Sequence, residues 1–271
     1  MKHKHIQENL LLAIAGGIFI ISALWLWRIW SGYRAGEEEY KQLQSHALAV
    51  METEGSQSPL PEEETWQGQD IDLGGYQLKE VDFEGLQAQN EEITGWIEMP
   101  GLDISYPVVQ GKDNSYYLKR TFLRESNNAG SIFMDMRNDP ALSNKNTIIY
   151  GHNMRNGSMF GKLKQYREEA VFQENQVFYY YIPGHVYQCQ IISCRTVKAR
   201  EEEYPTGFSD EKSFGKYIEM IEKESWHKSS FTAGTGDRLI MLSTCTGSST
   251  ERFVVQARLV EILPRIPSSL L

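Results

Sequence analysis

Cysteine is scarce in this chain, and its few cysteines form neither a disulfide nor a metal-binding pattern. Three cysteines in 271 residues leave at least one thiol free or paired between molecules. No second pair of cysteine or histidine residues has the spacing of a zinc site, so we expect no metal ion. Cys189 and Cys194 fall in one predicted strand, where their odd separation places them on opposite faces and prevents a bridge between them. We expect both to be small core residues.

Basic residues are also fewer than acidic ones. The chain has 27 Lys and Arg residues against 36 Asp and Glu residues, which gives a net charge of -9 and an isoelectric point near 5.3. This balance argues against nucleic acid as the main partner. The sequence contains no glycine-rich phosphate-binding loop and no internal repeat. Its length allows one good-sized domain with accessory segments.

Charge is absent from one long stretch near the N terminus, and this predicts a membrane anchor. Leu10 to Trp27 carries no charged residue, and three tryptophans cluster around its far end: Trp25, Trp27 and Trp30. Both features are typical of a membrane-spanning helix. A cleavable signal peptide is the alternative, but the run is longer than a signal core and ends in bulky residues. We predict a single transmembrane signal-anchor at 10–30, with 1–9 in the cytoplasm and the large C-terminal part outside the cell.

The region between the anchor and the patterned part of the chain, residues 31–80, predicts two kinds of structure. Glu37 to Met51 has the composition of a polar helix, and 52–75 is acidic and rich in Ser, Pro, Gln and Gly, as linkers are. Such a linker would let a tethered domain stand off the bilayer. We assign 81–265 to one globular domain and 266–271 to a C-terminal tail.

Strand patterns dominate this domain. Runs of β-branched and aromatic residues between turn formers predict strands at Trp96–Met99, Ile104–Val109, Gly130–Asp135, Thr147–Tyr150, Val177–Ile182, Val186–Val197, Leu239–Leu242 and Arg252–Val260. Helical patterns are fewer: Asp82 to Ile93, Met159 to Tyr166, and Ser209 to Ser225, with Asp82 and Ser209 as caps. Many strands with mostly short connections predict a mainly β fold, a closed or nearly closed barrel with peripheral helices.

Cys245 lies where a buried strand meets a polar loop. The apolar run Leu239–Leu242 leads to it, and a segment rich in turn formers separates it from the next strand, which begins at Arg252. In a hairpin the two residues would be about 5 Å apart if they pair directly. A permanent cation beside a thiol lowers the thiol pKa and can stabilise an oxyanion. Arg258 is the alternative arginine, but Arg252 is level with the thiol.

His152 is the histidine best placed to serve such a thiol. It follows the predicted strand Thr147–Tyr150 across one glycine, as no other of the six histidines does. A thiol needs a base or an imidazolium partner to act as a nucleophile near neutral pH. His46, His185 and His227 are expected to be solvated.

Several motifs follow one another along the chain: Gly95-Trp96-Ile97, Tyr106-Pro107-Val108-Val109-Gln110, Asp113-Asn114-Ser115-Tyr116-Tyr117-Leu118, Tyr150-Gly151-His152-Asn153-Met154, Leu242-Ser243-Thr244-Cys245 and Arg252. With these motifs in this order, the chain resembles class B sortases from about Val81 to Leu263. A helical insertion before the cysteine strand agrees with this class. The connection between Cys245 and Arg252 is shorter than in many relatives. Gly247 also stands where some carry a side chain proposed to assist the histidine, so we assign no acidic partner.

The resemblance implies a membrane-anchored cysteine transpeptidase of a Gram-positive bacterium. Cys245 would attack the Thr carbonyl of a C-terminal sorting motif, of the Asn-Pro-x-Thr type, in a secreted surface protein and form a thioester. His152 would transfer protons, and Arg252 would stabilise the oxyanion. An amine of a cell-wall precursor would release the attached product, and no metal or organic cofactor is needed. Four residues are candidates for substrate binding, or alternatively for turn formation, packing and strand pairing: Asn114, Tyr150, Ser243 and Thr244.

Three alternatives remain open at this stage. The acceptor amine could be a pilin lysine. The enzyme could instead be a papain-like or cell-wall-cleaving cysteine hydrolase, although those generally place Cys before His along the chain, whereas here His152 comes first. The chain could also be an anchored binding module without catalysis, in which case selective, pH-dependent labelling of Cys245 would not be expected.

Overall fold

Runs of apolar and β-branched residues form strands that close into a barrel, and helices lie on its outside. The computed structural model describes residues 2–50, 75–248 and 250–264. Its α-helices are α1 (Lys2–Ala47), α2 (Phe83–Gln89), α3 (Glu169–Glu174) and α4 (Glu211–Lys223). A two-stranded ribbon consists of β1 (Leu48–Val50) and β2 (Lys79–Val81). The barrel strands are β3 (Ile93–Met99), β4 (Ile104–Val109), β5 (Ile132–Met134), β6 (Asn146–Tyr150), β7 (Val177–Ile182), β8 (His185–Lys198), β9 (Leu239–Cys245) and β10 (Glu251–Pro264).

The barrel contains two parallel strand pairs among antiparallel ones. The order of its strands is β10, β8, β7, β3, β4, β5, β6 and β9. The parallel pairs are β4–β5 and β6–β9. A parallel pair brings the carboxyl ends of two strands to the same edge. The interior is filled by an apolar cluster that includes Trp96, Tyr180 and Leu242, none of which is exposed. The prediction of a closed, mainly β barrel with peripheral helices is confirmed.

A β-bulge in β8 changes the faces of its two cysteines. β8 pairs with β10 along its length, but the register skips Ile192. Cys194 is opposite Val255 and Cys189 is opposite Leu259, and these two residues of β10 share a face because they are four apart. The prediction that the cysteines face opposite sides is therefore wrong. They remain free, since four residues of extended chain separate them by about 13 Å.

Helix α1 is longer than the sequence predicted and has two differently exposed parts. It runs without a break, so the expected separate helix from Glu37 to Met51 is its last part and ends at Ala47. Within the described residues, one segment, Ile14–Ala47, is long and apolar enough to cross a membrane. The large apolar side chains of its first half are exposed, among them Phe19, Trp25 and Trp27.

The last turns of α1 belong to the barrel domain. Tyr40, Leu43 and Ala47 are buried in the same cluster that fills the barrel. The acidic segment predicted as a linker at 52–75 lies outside the described residues except for its last residue, but the strands on either side of it are paired, with Val50 opposite Lys79. The segment is thus inserted between two paired strands, and not between the anchor and the domain as we predicted. The tail at 266–271 also lies outside the described residues.

Three helix boundaries differ from the sequence pattern. Asp82 caps α2 as predicted, by accepting a hydrogen bond from the amide of Gly85. The helix ends at Gln89, however, and Ile93 is the first residue of β3. The N-cap of α4 is Asp210 and not Ser209, because Asp210 and Ser213 form a reciprocal capping box. The helix predicted from Met159 to Tyr166 is a 3-10 helix at Gly161–Arg167.

The burial of two thiols predicts a sharp labelling pattern. Cys189 and Cys194 are fully buried, and burial raises the pKa of both thiols, that of Cys194 to about 12. Iodoacetamide should therefore modify the native protein only at Cys245, which is partly exposed, and should modify all three cysteines after denaturation. Intact-mass spectrometry with peptide mapping measures both counts. Modification of Cys189 or Cys194 in the native protein would contradict this packing.

Candidate active site

The parallel pairing of β6 with β9 brings two polar strand ends to one edge of the barrel. Tyr150 at the end of β6 is opposite Ser243 in β9. His152 and Cys245 follow Tyr150 and Ser243, respectively, by two positions, so both lie at the same edge of the sheet. The side-chain amide of Asn153 donates to the Cys245 carbonyl at 2.7 Å and ties the two ends together.

Arg252 lies beside Cys245 in the neighbouring strand. The two residues are direct partners in the antiparallel pair of β9 and β10, as the sequence predicted. The Arg252 guanidinium donates to the carbonyl oxygens of Glu251 at 2.8 Å and Ser248 at 3.4 Å. These contacts hold its head against the connection between the strands. Arg258 lies at the other end of β9, so it is not part of this edge.

The strand ends open onto a cavity of about 210 Å³. Its lining residues are Asn114, Leu118, Phe133, Tyr150, Gly151, His152, Ser243, Thr244, Cys245 and Arg252. This set contains all seven residues that the sequence singled out for catalysis or substrate binding. Leu118, Phe133 and Gly151 are lining residues that the sequence analysis did not select.

His152 is held in a defined orientation by backbone groups. Its Nε2 lies 2.7 Å from the carbonyl oxygen of Leu118. A carbonyl only accepts, so Nε2 carries a proton, and Nδ1 is the nitrogen with a lone pair in the neutral ring. Gly130 packs against the ring, because a Cβ at this position would lie 3.0 Å from the imidazole Cδ2 and 2.7 Å from the carbonyl oxygen of Tyr117. The φ angle of Gly130, +60°, also favours glycine.

The two residues before Cys245 have different surroundings. The Ser243 hydroxyl is hydrogen-bonded to the hydroxyl of Tyr204 at 3.1 Å. The Tyr204 ring also packs on Tyr150, with ring centroids 5.9 Å apart. Thr244 is 3% exposed, and its hydroxyl has no hydrogen-bond partner within the part of the chain that the structure describes.

A buried carboxylate supports several lining residues at once. Asp135 has no solvent exposure and accepts hydrogen bonds from the Tyr150 hydroxyl at 2.9 Å and the Asn114 amide at 3.1 Å. Arg137 donates to it from Nε and Nη2, both at 2.9 Å, and Nη2 also donates to the Tyr204 carbonyl at 3.2 Å. One ion pair therefore connects three separate segments around the cavity.

The charge state of this carboxylate follows from its partners. Burial alone would raise the pKa of Asp135, but hydrogen bonds from Arg137 and Tyr150 together hold it below its usual range. Burial and the nearby Asp135 charge raise the pKa of Tyr150, so its hydroxyl stays protonated and donates. Asp135, Arg137 and Tyr204 were missed from the sequence. An aspartate as the last residue of a predicted strand was the available signal for Asp135, but it equally indicates a turn.

The family of the chain is decided by comparison with known proteins. The sortase domain matches residues 97–260, which is more than half of the chain. The chain belongs to the sortase family. It is 32% identical to sortase B of Staphylococcus aureus over 183 residues, which cover 66% of this chain and 75% of the relative. It is 36% identical to sortase B of Listeria monocytogenes over 178 residues, which cover 65% of this chain and 72% of that relative. These relatives assign this sortase to class B.

Solved structures agree with this assignment. Sortase B from Bacillus anthracis has a TM-score of 0.69 at 35% identity and covers 86% of this chain and 100% of its own. The Staphylococcus aureus sortase B-substrate complex has a TM-score of 0.64 at 33% identity, and the match covers 67% of this chain and 85% of the chain in that complex. This sortase is therefore a cysteine transpeptidase built on the closed barrel of its class. Its apolar N-terminal helix is consistent with membrane anchoring.

The buried carboxylate predicts a pH-dependent loss of stability on mutation. Asp135→Asn should lower the free energy of unfolding by about 2 kcal/mol at pH 7, because Arg137 and Tyr150 lose a charged acceptor. The folded-state pKa of Asp135 is lowered, so its contribution is complete above the unfolded pKa of about 4 and is lost as the pH falls through the folded value. Urea unfolding at pH 7 and near pH 3 should show a difference from the wild type that shrinks in acid.

A matched control separates this effect from the loss of any negative charge. Asp103 forms an ion pair with Lys162, but its side chain is 94% exposed. Asp103→Asn should change the stability by less than about 1 kcal/mol at either pH. Equal effects of the two substitutions, or an undiminished Asp135→Asn effect near pH 3, would contradict the role given to Asp135.

Proposed function

We propose that this sortase cleaves a C-terminal sorting motif after Thr and transfers the protein to a cell-wall amine, with Cys245 as the nucleophile. The observation that supports this most directly is the meeting of Cys245, His152 and Arg252 at one cavity, although His152 is far from the other two in sequence. Acyl transfer through a thioester uses a nucleophile and a proton carrier, and a cation is one of the groups that can stabilise its oxyanion.

In the first half-reaction, the Cys245 thiolate attacks the carbonyl carbon of Thr and forms a tetrahedral oxyanion. When this intermediate collapses, the C–N bond breaks and the His152 imidazolium gives a proton to the departing amine. The thioester and the neutral imidazole remain. Since Nε2 of His152 is committed to the Leu118 carbonyl, we assign the proton transfer to Nδ1.

In the second half-reaction, an incoming amine attacks the thioester carbonyl. The neutral His152 accepts its proton, the C–S bond breaks, and the thiolate and imidazolium are restored. Both half-reactions develop negative charge on the carbonyl oxygen. Arg252, opposite Cys245 in the sheet, would stabilise it with nearby backbone amides.

The substrate groups would bind along the remaining walls of the cavity. Asn114, Tyr150, Ser243 and Thr244 line it and offer amide and hydroxyl groups to a sorting motif of the Asn-Pro-x-Thr type. We infer that the transmembrane helix at 10–30 anchors the enzyme with residues 1–9 in the cytoplasm and the barrel outside. There it would meet secreted surface proteins and a cell-wall precursor; a pilin lysine is the alternative acceptor.

Single substitutions test the three assignments. With a fluorogenic sorting peptide, Cys245→Ala should abolish cleavage, because alanine cannot form a thioester. His152→Ala should lower kcat/KM by about 10²–10⁴, and Arg252→Ala by about 10²–10³. Arg258→Ala is the matched control and should stay within about twofold of the wild type, since it lies at the far end of the strand pair. Residual cleavage by Cys245→Ala would refute the nucleophile.

The partition of the acyl-enzyme tests transfer against hydrolysis. With added triglycine, mass spectrometry should detect the peptide fragment joined to triglycine, at the expense of the free acid. A hydrolase would give the free acid alone at every amine concentration. Triglycine with a blocked N terminus is the control for non-covalent effects of triglycine. It has no free amine to attack the thioester and should give no adduct.

A further inference from the structure

Helix α1 reaches the surroundings of His152 through one buried tyrosine. Tyr40 is 4% exposed, and its hydroxyl donates to the Gly130 carbonyl at 2.8 Å and accepts from the Phe122 amide at 3.3 Å. Two further hydrogen bonds fasten the helix to the same segment, from the Leu123 amide to Glu39 and from Asn127 to the Gly32 carbonyl. The last part of α1 is therefore attached to residues 120–131 by specific polar contacts.

This segment is in direct contact with the imidazole. Gly130, whose carbonyl accepts from Tyr40, is so close to the His152 ring that an added Cβ would lie 3.0 Å from its Cδ2. The same Cβ would be 2.8 Å from the Leu118 carbonyl oxygen, which is the acceptor for Nε2 of His152. A single residue thus separates the hydroxyl of Tyr40 from both the ring of His152 and the group that orients the ring.

A second route leads from Tyr40 to the backbone that follows the histidine. The Tyr40 ring meets Tyr106 edge-on with centroids 5.2 Å apart. The Tyr106 hydroxyl accepts from the Met159 amide at 3.0 Å, and Met159 pairs with Asn153, the residue after His152. Tyr40 therefore braces His152 from two sides, through the Gly130 turn and through the loop that leaves the strand.

We propose that Tyr40 is a positioning residue for His152, so that docking of the membrane-proximal part of α1 on the barrel sets the catalytic competence of the enzyme. The inference rests on the proton-transfer role proposed above for His152. Loss of the Tyr40 hydroxyl would free the Gly130 turn and let the imidazole leave its position in the wall of the cavity that Cys245 also lines. Binding of the sorting motif would be little affected, because Tyr40 does not line the cavity that holds it.

The test uses the full-length protein in detergent micelles. Tyr40→Phe removes only the hydroxyl. Tyr33→Phe is the matched control, because Tyr33 is on the same helix two turns earlier, is partly buried, and makes no hydrogen bond through its hydroxyl to any residue that the structure describes. Steady-state transfer of a sorting peptide to triglycine gives kcat and KM. The rate of Cys245 alkylation by iodoacetamide, measured against pH, reports the thiol and its imidazole partner without any substrate.

Tyr40→Phe should lower kcat about tenfold and leave KM within about twofold, because a misplaced proton carrier slows the chemical steps. It should also move the inflection of the alkylation profile, whereas Tyr33→Phe should change neither quantity. A merely structural role would reduce the fraction of active enzyme and leave the inflection in place. An unshifted inflection or an unchanged kcat in Tyr40→Phe overturns the proposal. Cys245→Ala and His152→Ala, assayed alongside, show separately whether the proposed function itself has failed.

Discussion

The site depends on the register between two parallel strands whose sequences are almost ninety residues apart. β6 and β9 pair with Tyr150 opposite Ser243, and this register places His152 and Cys245 level with each other at one edge of the sheet. A slip of one residue would turn every side chain of β9 to the other face, so that Ser243 would no longer face Tyr204. Such a slip is opposed by the barrel core, since Ile240 and Leu242 on the inner face of β9 would then point outward.

Strand ends and connections contribute different parts of the cavity. Cys245, Arg252 and Tyr150 lie at the ends of barrel strands, where closure of the sheet restricts their movement. Asn114, Leu118 and Gly130 lie on connections, which lack a ladder of hydrogen bonds and need other restraints. The Asp135–Arg137 ion pair and the Tyr40 hydroxyl supply these restraints from buried positions. Buried polar groups are strongly directional when every partner is satisfied, so they can fix a connection as firmly as packing does.

The sequence predicted what is encoded locally. Cys245 and Arg252 are separated by one short turn, so their pairing follows from the hairpin pattern alone, whereas the meeting with His152 required the family resemblance. The faces of Cys189 and Cys194 could not be predicted, because the bulge at Ile192 arises from pairing with β10 and has no signal in β8 itself. Asp135 was overlooked for a similar reason: apart from Arg137, its partners Asn114 and Tyr150 come from two other segments, and nothing near Asp135 in sequence indicates them.

The continuity of α1 gives the enzyme a mechanical property that a flexible tether would lack. A chain of linker composition does not transmit orientation, because its end-to-end vector samples many directions. Here one helix carries the apolar segment and, a few turns later, the buried Tyr40, so the barrel is joined to the apolar segment through regular backbone hydrogen bonds. The helix rises about 1.5 Å per residue, which places Tyr40 only about 15 Å beyond Trp30 along its axis. The docked end of α1 therefore holds the barrel within a few helical turns of the apolar segment.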